Sequence, residues 1–171
     1  WNFNMRGIKW LYQQHLVHGI NLLCQHLESY SLHGLRKRDY PASLFYQHPM
    51  WPRIRKLNDA FARVGRMLAC GETECEVLLI HGESSAWMRS HGRFAERRAR
   101  ELFRPFCELS RALGAAGIPF HYGDEIMLAE KGVAADGMLR LGAMRYSRVV
   151  IPPVENLLGP TVRLLREFAR Q

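Results

Sequence analysis

One short apolar run in the middle of the chain constrains the fold more than any other feature. Residues 75–81 read CEVLLIH and place apolar side chains at consecutive positions. This pattern is typical of a parallel strand that is buried on both faces. Gly71 and the polar residues 72–74 separate the run from the segment before it. The sequence therefore predicts that an α/β domain begins at about residue 71.

Helix and strand patterns alternate from this run to the end of the chain. Apolar residues recur at helical spacing over 102–113, and Pro105 predicts that this helix begins or kinks there. We expect two further strands, over 118–122 and 148–151, and a last helix over 160–170. The order of these elements predicts an open, doubly wound α/β domain.

Two local signals refine this domain. Asp124 is placed to cap a short helix over 125–130. The dipeptide of Asp136 and Gly137 lies between two apolar segments, as in hairpins with a two-residue turn. Both signals predict local backbone geometry that does not depend on the rest of the fold.

The first 70 residues are predicted to form a helix, a strand and a second helix. The helical pattern over 5–18 stops at Gly19, and the apolar residues 20–25 follow it directly. A second amphipathic helix begins at Pro52. The connection over 26–51 is unusually long, and loops of this length in compact domains are often functional.

The long connection combines histidine, aromatic and charged residues in the way that a polar ligand pocket does. If residues 20–25 form a strand, this loop follows its carboxyl end, where α/β folds place their binding sites. A solvated, charged surface loop is the alternative. The candidate ligand-binding residues are His26, Tyr30, Arg36, Arg38 and Asp39, together with Trp1.

Composition narrows the class of protein. The net charge of +8 comes from arginines that are interspersed with glutamates along a predicted helix, so we do not expect a nucleic-acid partner. The sequence has no apolar run long enough to span a membrane, and we expect no membrane association. Its four cysteines lack zinc-site spacing, and Cys24 and Cys107 are expected to be small buried hydrophobes. We predict no metal and no cofactor.

Three catalytic arrangements were weighed against the sequence. Residues 82–86 partly match the serine elbow of α/β-hydrolases, but Asp124 and Asp136 both follow the downstream histidines His91 and His121, so the required order of serine, acid and histidine fails. Cys75 and Cys107 are poorly placed to serve as the nucleophile of a class I amidotransferase. Glu28 and Asp39 are the carboxylates of the long connection, and neighbouring cations favour ionised, sugar-binding or bracing roles for them over general acid catalysis.

The segments WNFNMRGIKW, VHGINLL, YSLHGLRKRDYPAS and QHPMW, at residues 1–10, 17–23, 30–43 and 47–51, resemble large bacterial glycoside hydrolases of the α-L-rhamnosidase-like kind. The resemblance extends over nearly the whole chain. It implies that residues 1–70 are the C-terminal segment of a (β/α)₈ (TIM) barrel. It further implies that residues 71–171 form a flavodoxin-like or glutaminase-like α/β domain without glutaminase residues, as in the β-galactosidases with a trimerisation domain.

The resemblance also implies a function for the parent protein. We expect a fragment of a bacterial enzyme that hydrolyses O-glycosidic bonds in poly- or oligosaccharides, with its catalytic carboxylates before Trp1 and none in this chain. The expected partners are the carbohydrate, the rest of the polypeptide and a second copy of the chain. The alternative is a non-catalytic scaffold or oligomerisation module. A cytoplasmic location is expected, and a periplasmic or secreted one stays open.

Overall fold

The computed structural model describes residues 4–26, 30–31, 33–35 and 44–171. The chain divides into two compact units, Trp1–Glu72 and Thr73–Gln171. The described part of the first unit contains helices without strands, whereas the second unit combines helices with two small sheets. The protein is therefore of the mixed α/β class.

The described residues of the first unit contain two helices. They are α1 (Met5–Val17) and α2 (Trp51–Leu68), and both predicted helices are confirmed. The Asn4 side chain caps α1 by accepting a hydrogen bond of 3.0 Å from the backbone N–H of Gly7. The two helices contact each other, and Ile8 of α1 and Ile54 of α2 are buried.

The strand predicted over 20–25 is wrong. These residues follow α1 without regular secondary structure and pair with no strand among the described residues. The segment packs on the helices instead: the backbone carbonyl of Asn21 approaches α2 at Gly65, and the Gln25 side chain donates to the Tyr12 hydroxyl. Leu22 is 83% exposed. No described strand lies beside this segment to pair with its backbone, so the segment adds no strand to a sheet.

The second unit alternates helices and strands. Its elements are β1 (Val77–His81), α3 (Glu83–Arg89), α4 (Ala95–Ala115), β2 (Phe120–Asp124), α5 (Glu125–Lys131), β3 (Gly132–Ala135), β4 (Met138–Leu141), β5 (Met144–Tyr146), β6 (Arg148–Val150) and α6 (Gly159–Phe168). The strands predicted over 75–81 and 148–151 and the last helix are confirmed. The strand predicted over 118–122 begins two residues later. Helix α4 begins at Ala95, so Pro105 lies inside it and does not start it.

The parallel sheet has the strand order β2-β1-β6. Strand β1 is central and pairs with both neighbours, Ile80 opposite Gly123 of β2 and Leu79 opposite Val150 of β6. Leu78, Leu79 and Ile80 are all fully buried. Because successive side chains point to opposite faces of a strand, both faces of β1 are covered, as the apolar run predicts.

A second, antiparallel sheet has the order β3-β4-β5. The predicted turn between β3 and β4 is confirmed, since Asp136 and Gly137 have φ angles of 57° and 70°, as in a type I′ turn. Leu139 and Tyr146 of this sheet join Leu78 and Ile80 of β1 in one buried core. Strand β5 was not predicted, although Gly142 (φ 60°) supplies a second hairpin turn before it.

Candidate functional site

The predicted sugar-binding residues lie only partly in the described chain. His26 and Tyr30 are exposed, and Tyr30 is 95% exposed. Trp1, Arg36, Arg38 and Asp39 lie outside the described residues, as does Glu28. That these residues form one sugar-binding pocket therefore stays a prediction.

Other aromatic residues of the first unit pack on one another. Phe45 contacts Tyr46 and Trp51 edge to face, with ring centroids 4.8 and 5.4 Å apart. Tyr12 of α1 contacts Phe61 of α2 in the same way at 4.8 Å. The rings of Tyr46 and Trp51 nevertheless stay partly exposed, so each has a free part of its surface for a ligand.

A cleft of about 300 Å³ lies in the second unit at the carboxyl ends of β1 and β6. β1 ends at His81, and residues 152–154 directly follow β6. The chain runs from β1 to β2 on one side of β1 and later returns to β6 on the other side, so the direction of the strand order reverses at β1. This is the switch point at which open α/β sheets bind ligands. The walls also include Glu83 and Trp87 of α3 and Phe103 and Phe106 of α4.

A histidine and a glutamate form the polar wall of this cleft. His81 Nδ1 lies 2.6 Å from Glu83 Oε1, within hydrogen-bond distance. The imidazole also stacks against Phe106, with centroids 4.8 Å apart, and Phe106 lies 5.0 Å from the ring of Phe103. Glu83 Oε2 is buried and has no hydrogen-bond partner among the described residues. The pair is thus held by aromatic packing while one carboxylate oxygen remains unsatisfied.

A glycine allows the cleft walls to approach each other. A Cβ atom at Gly82 would lie 2.5 Å from Cγ1 of Val154, closer than carbon atoms pack. The turn from β1 into α3 can therefore contact the loop after β6 only because residue 82 has no side chain. The sequence signal for this site is the pairing of His81, at the end of one apolar strand, with the double proline at 152–153, which comes shortly after another. That signal was missed because sequence alone does not show that β1 and β6 are neighbours.

Behind the cleft, the buried carboxylate of Glu125 joins three segments. It accepts hydrogen bonds from Ser84, through both Oγ at 2.6 Å and the backbone N–H at 3.1 Å, and from the backbone N–H of Leu158 at 2.6 Å. Glu125 is 1% exposed. Ser84 follows β1, Glu125 follows β2 and Leu158 follows β6. One side chain therefore ties together the carboxyl ends of all three parallel strands.

The neighbouring serine is also committed to structural hydrogen bonds. Ser85 Oγ donates to the backbone carbonyl of Asn156 at 2.7 Å and accepts from the backbone N–H groups of Asn156 and Glu155 at 3.0 and 3.2 Å. Both serines of the partial elbow motif are buried. Neither hydroxyl contacts a histidine among the described residues, so the arrangement lacks the base that activates a serine nucleophile.

An ion pair holds the outer end of α3. The Arg89 guanidinium donates through two nitrogens to the Glu155 carboxylate, and the Nε–Oε2 distance is 2.6 Å. The hydrogen bond from Arg89 lowers the pKa of Glu155, and the hydrogen bond to Glu155 raises the pKa of Arg89. The pair links α3 to the loop after β6, the two segments that border the cleft.

The four cysteines are free thiols that differ in exposure. Cys75 is buried, and its thiol lies 3.4 Å from the backbone carbonyl of Val77. Cys24 is exposed, so its predicted burial is wrong; it lies in the segment that fails to form a strand. Across residues 4–26, 30–31, 33–35 and 44–171, no group of three or more His, Cys, Asp or Glu side chains is arranged to hold a metal ion.

The chain matches no protein-family model, no curated protein and no solved structure. None of the helices in the described part of the chain has the length and apolar character needed to cross a membrane. The case for a function therefore rests on the residues and on the geometry of the two units.

Proposed function

We propose that the chain is part of a glycoside hydrolase that cleaves O-glycosidic bonds in poly- or oligosaccharides. In this proposal the first unit supplies part of the sugar-binding pocket, and α1 and α2 correspond to helices at the end of a (β/α)₈ barrel. The barrel strand predicted between them is absent from the described residues. The observation that carries the proposal is the ring of Tyr30, which is almost fully exposed in a segment whose sequence also contains Arg36, Arg38 and Asp39. Exposed aromatic rings pack on the C–H faces of sugars, and nearby charged groups bind the hydroxyls.

The parallel sheet supports a flavodoxin-like or glutaminase-like assignment for the second unit. Its order β2-β1-β6 puts the first strand between the second and the next parallel strand. Doubly wound domains of the flavodoxin type begin with this order. The antiparallel sheet β3-β4-β5 is then an insertion between the second and third parallel strands.

The hydrogen bonds of Ser84 and Ser85 support a non-catalytic role for this second unit. Both hydroxyls bind backbone or carboxylate groups inside the unit. A hydrolase or amidotransferase of this topology needs a nucleophile that is free at the turn after β1 and a base beside it. In the proposal, the second unit therefore supports the barrel and performs no chemistry.

The substitution Tyr30→Ala in the full-length parent tests the sugar-binding role. Loss of one stacking ring is expected to lower kcat/KM on the natural oligosaccharide by about three- to tenfold, because such contacts contribute about 0.5–1.5 kcal/mol. Tyr122→Ala, which removes an exposed tyrosine of the second unit, is the matched control and is expected to leave kcat/KM unchanged. Equal effects of the two substitutions would remove Tyr30 from the site.

The isolated chain provides a second test. It lacks the expected pair of catalytic carboxylates, so it should not hydrolyse an aryl glycoside. Turnover that disappears when Glu28 or Asp39 is replaced would contradict this expectation and would make those two residues the catalytic pair.

A scaffold or oligomerisation module is the second candidate function. The second unit exposes several large apolar side chains, among them Tyr122, Ile126, Met127 and Val133. Exposed apolar surface of this kind is often covered by a protein partner. Sedimentation of the parent with and without residues 75–171 discriminates the two candidates, since an unchanged oligomeric state and unchanged stability would eliminate the scaffold role.

A further inference from the structure

The cleft beside His81 has features of a ligand site that the proposed hydrolase activity does not use. Its volume of about 300 Å³ is at the lower end of the range for small-molecule sites. Neither His26 nor Tyr30, the two predicted sugar-binding residues that the structure describes, is among its lining residues. It lies at the switch point of the parallel sheet, and Gly82 and Glu125 hold its walls in place.

The charge of the lining selects the ligand. Glu83 is acidic, and none of the described residues that line the cleft is lysine or arginine. The nearby Arg89 is occupied by Glu155 on the outer side of α3. An anionic ligand would therefore meet a carboxylate without a compensating cation, whereas a cation would be attracted to it.

The unsatisfied oxygen of Glu83 requires a hydrogen-bond donor. Burial of a carboxylate oxygen without a partner costs about 1–3 kcal/mol. Glu83 lines the cleft, so a ligand bound there can reach this carboxylate. A ligand N–H group would then satisfy it while Glu83 keeps its hydrogen bond to His81.

The aromatic walls favour an ammonium group over a sugar. Trp87 is 54% exposed, and the rings of Phe103 and Phe106 lie on the opposite helix. Aromatic faces attract ammonium ions through the ring quadrupole. Among the described residues of the lining, the polar groups are the side chains of His81 and Glu83 and the indole N–H of Trp87. A pyranose would leave several hydroxyls desolvated without partners, which is unfavourable.

We propose that this cleft binds a small organic ammonium ion with an apolar ring or chain. The ammonium group donates to Glu83, and the apolar part lies between Trp87 and the Phe103–Phe106 pair. Such a site makes the second unit a ligand-sensing module, which goes beyond its proposed role as a support for the barrel.

Three probes of the same shape test the proposal on the full chain. Benzylamine, benzyl alcohol and benzoate differ only in the charged or polar group, and NMR titration of the backbone amides locates and measures their binding. We expect benzylamine to shift the signals of Ala86 and Phe103 and to bind about tenfold more tightly than benzyl alcohol, with no binding of benzoate. Equal affinity for benzylamine and benzyl alcohol would overturn the proposal.

Substitutions of cleft residues test whether the preference for benzylamine over benzyl alcohol arises in the cleft. Glu83→Gln should abolish the tenfold preference for the amine, whereas Glu101→Gln, which removes an exposed ion pair with Arg97 on α4, should preserve it. A preference that survives Glu83→Gln contradicts the proposal. If this variant does not fold, Trp87→Ala is the second test, because its exposed ring can be removed without opening the core. It should weaken benzylamine binding about fivefold, and an unchanged affinity overturns the proposal.

A methyl glycoside serves as the fourth probe and separates this proposal from the hydrolase assignment. Binding of the glycoside in the cleft, without binding of benzylamine, would show a carbohydrate subsite and refute the ammonium site. The titrations do not require glycoside turnover. If benzylamine does not bind, the ammonium site is refuted but the hydrolase proposal is not. If Tyr30→Ala leaves kcat/KM unchanged in the parent, the role of Tyr30 is refuted but the ammonium site is not.

Discussion

The two units differ in how they bury their apolar residues. In Trp1–Glu72, Ile8 and Ile54 are the buried hydrophobic side chains of the described residues, and large residues such as Leu22 and Met67 are exposed. Thr73–Gln171 instead contains a continuous buried core drawn from both sheets and two helices. The helices of the first unit pack on each other through few buried side chains, whereas long-range packing of a larger core holds the second unit together. A helix pair with few buried residues is marginally stable in water.

Amide hydrogen exchange is the strongest test of this difference. We expect the amides of α1 and α2 to exchange at least about a thousandfold faster than those of β1, a difference of about 4 kcal/mol in opening free energy. The reason is that β1 opens only when the buried core opens. Mass spectrometry of peptic fragments measures both units in one sample, and similar protection in both would refute the comparison.

The next largest difference between the two units is expected when a leucine in each is truncated to alanine and the free energy of unfolding is measured. Leu78→Ala removes a fully buried side chain of the central strand and is expected to lower the free energy of unfolding by about 3 kcal/mol. Leu22→Ala makes the same chemical change at an exposed position of the first unit, and we expect a change within about 0.5 kcal/mol. Urea unfolding followed by circular dichroism measures both. A loss at Leu22 as large as that at Leu78 would show that residues 20–25 are buried.

Disrupting the hydrogen bonds of the Glu125 carboxylate in the second unit should lower the free energy of unfolding by less than the core truncation does. Glu125→Gln keeps the shape of the side chain but turns an amide NH₂ toward either the Ser84 or the Leu158 N–H group. At least one hydrogen bond is lost and two donors face each other, so we expect destabilisation by about 2 kcal/mol in urea unfolding. Glu96→Gln, at an exposed ion pair on α4, is the control and should be nearly neutral. A neutral Glu125→Gln would mean that the network is not essential.

The smallest effect is the pH dependence from the Arg89–Glu155 pair. Because the pKa of Glu155 is lower in the folded state than in the unfolded chain, this carboxylate adds stability above its unfolded pKa. The contribution disappears as the pH falls through the lower, folded value. Wild type should therefore be slightly more stable than Glu155→Gln near neutral pH, and the two should converge in acid. Thermal unfolding at several pH values measures this, and a constant difference would refute the assignment.

Local sequence signals predicted the elements that depend on near neighbours. The helices over 5–18 and from 52, the Asp124 cap and the turn at 136–137 are all present, because each depends on side-chain periodicity or on backbone preferences within a few residues. The cap is direct, since the Asp124 side chain accepts from the backbone N–H of Met127 at 2.7 Å. The apolar run over 75–81 was equally informative, because a strand buried on both faces has a composition of its own.

Strand pairing and the contacts between distant polar groups depend on the tertiary structure. Residues 20–25 have a strand-like pattern but no neighbouring strand, whereas β1 has one on each side. His81 and Glu83 are close in sequence, but their aromatic surroundings come from α4, and Glu125 reaches Ser84 across 41 residues. Sequence thus determined local conformation and the apolar core. The cleft depended on which strands became neighbours, because backbone pairing and side-chain contacts across long separations are set by packing of the whole unit.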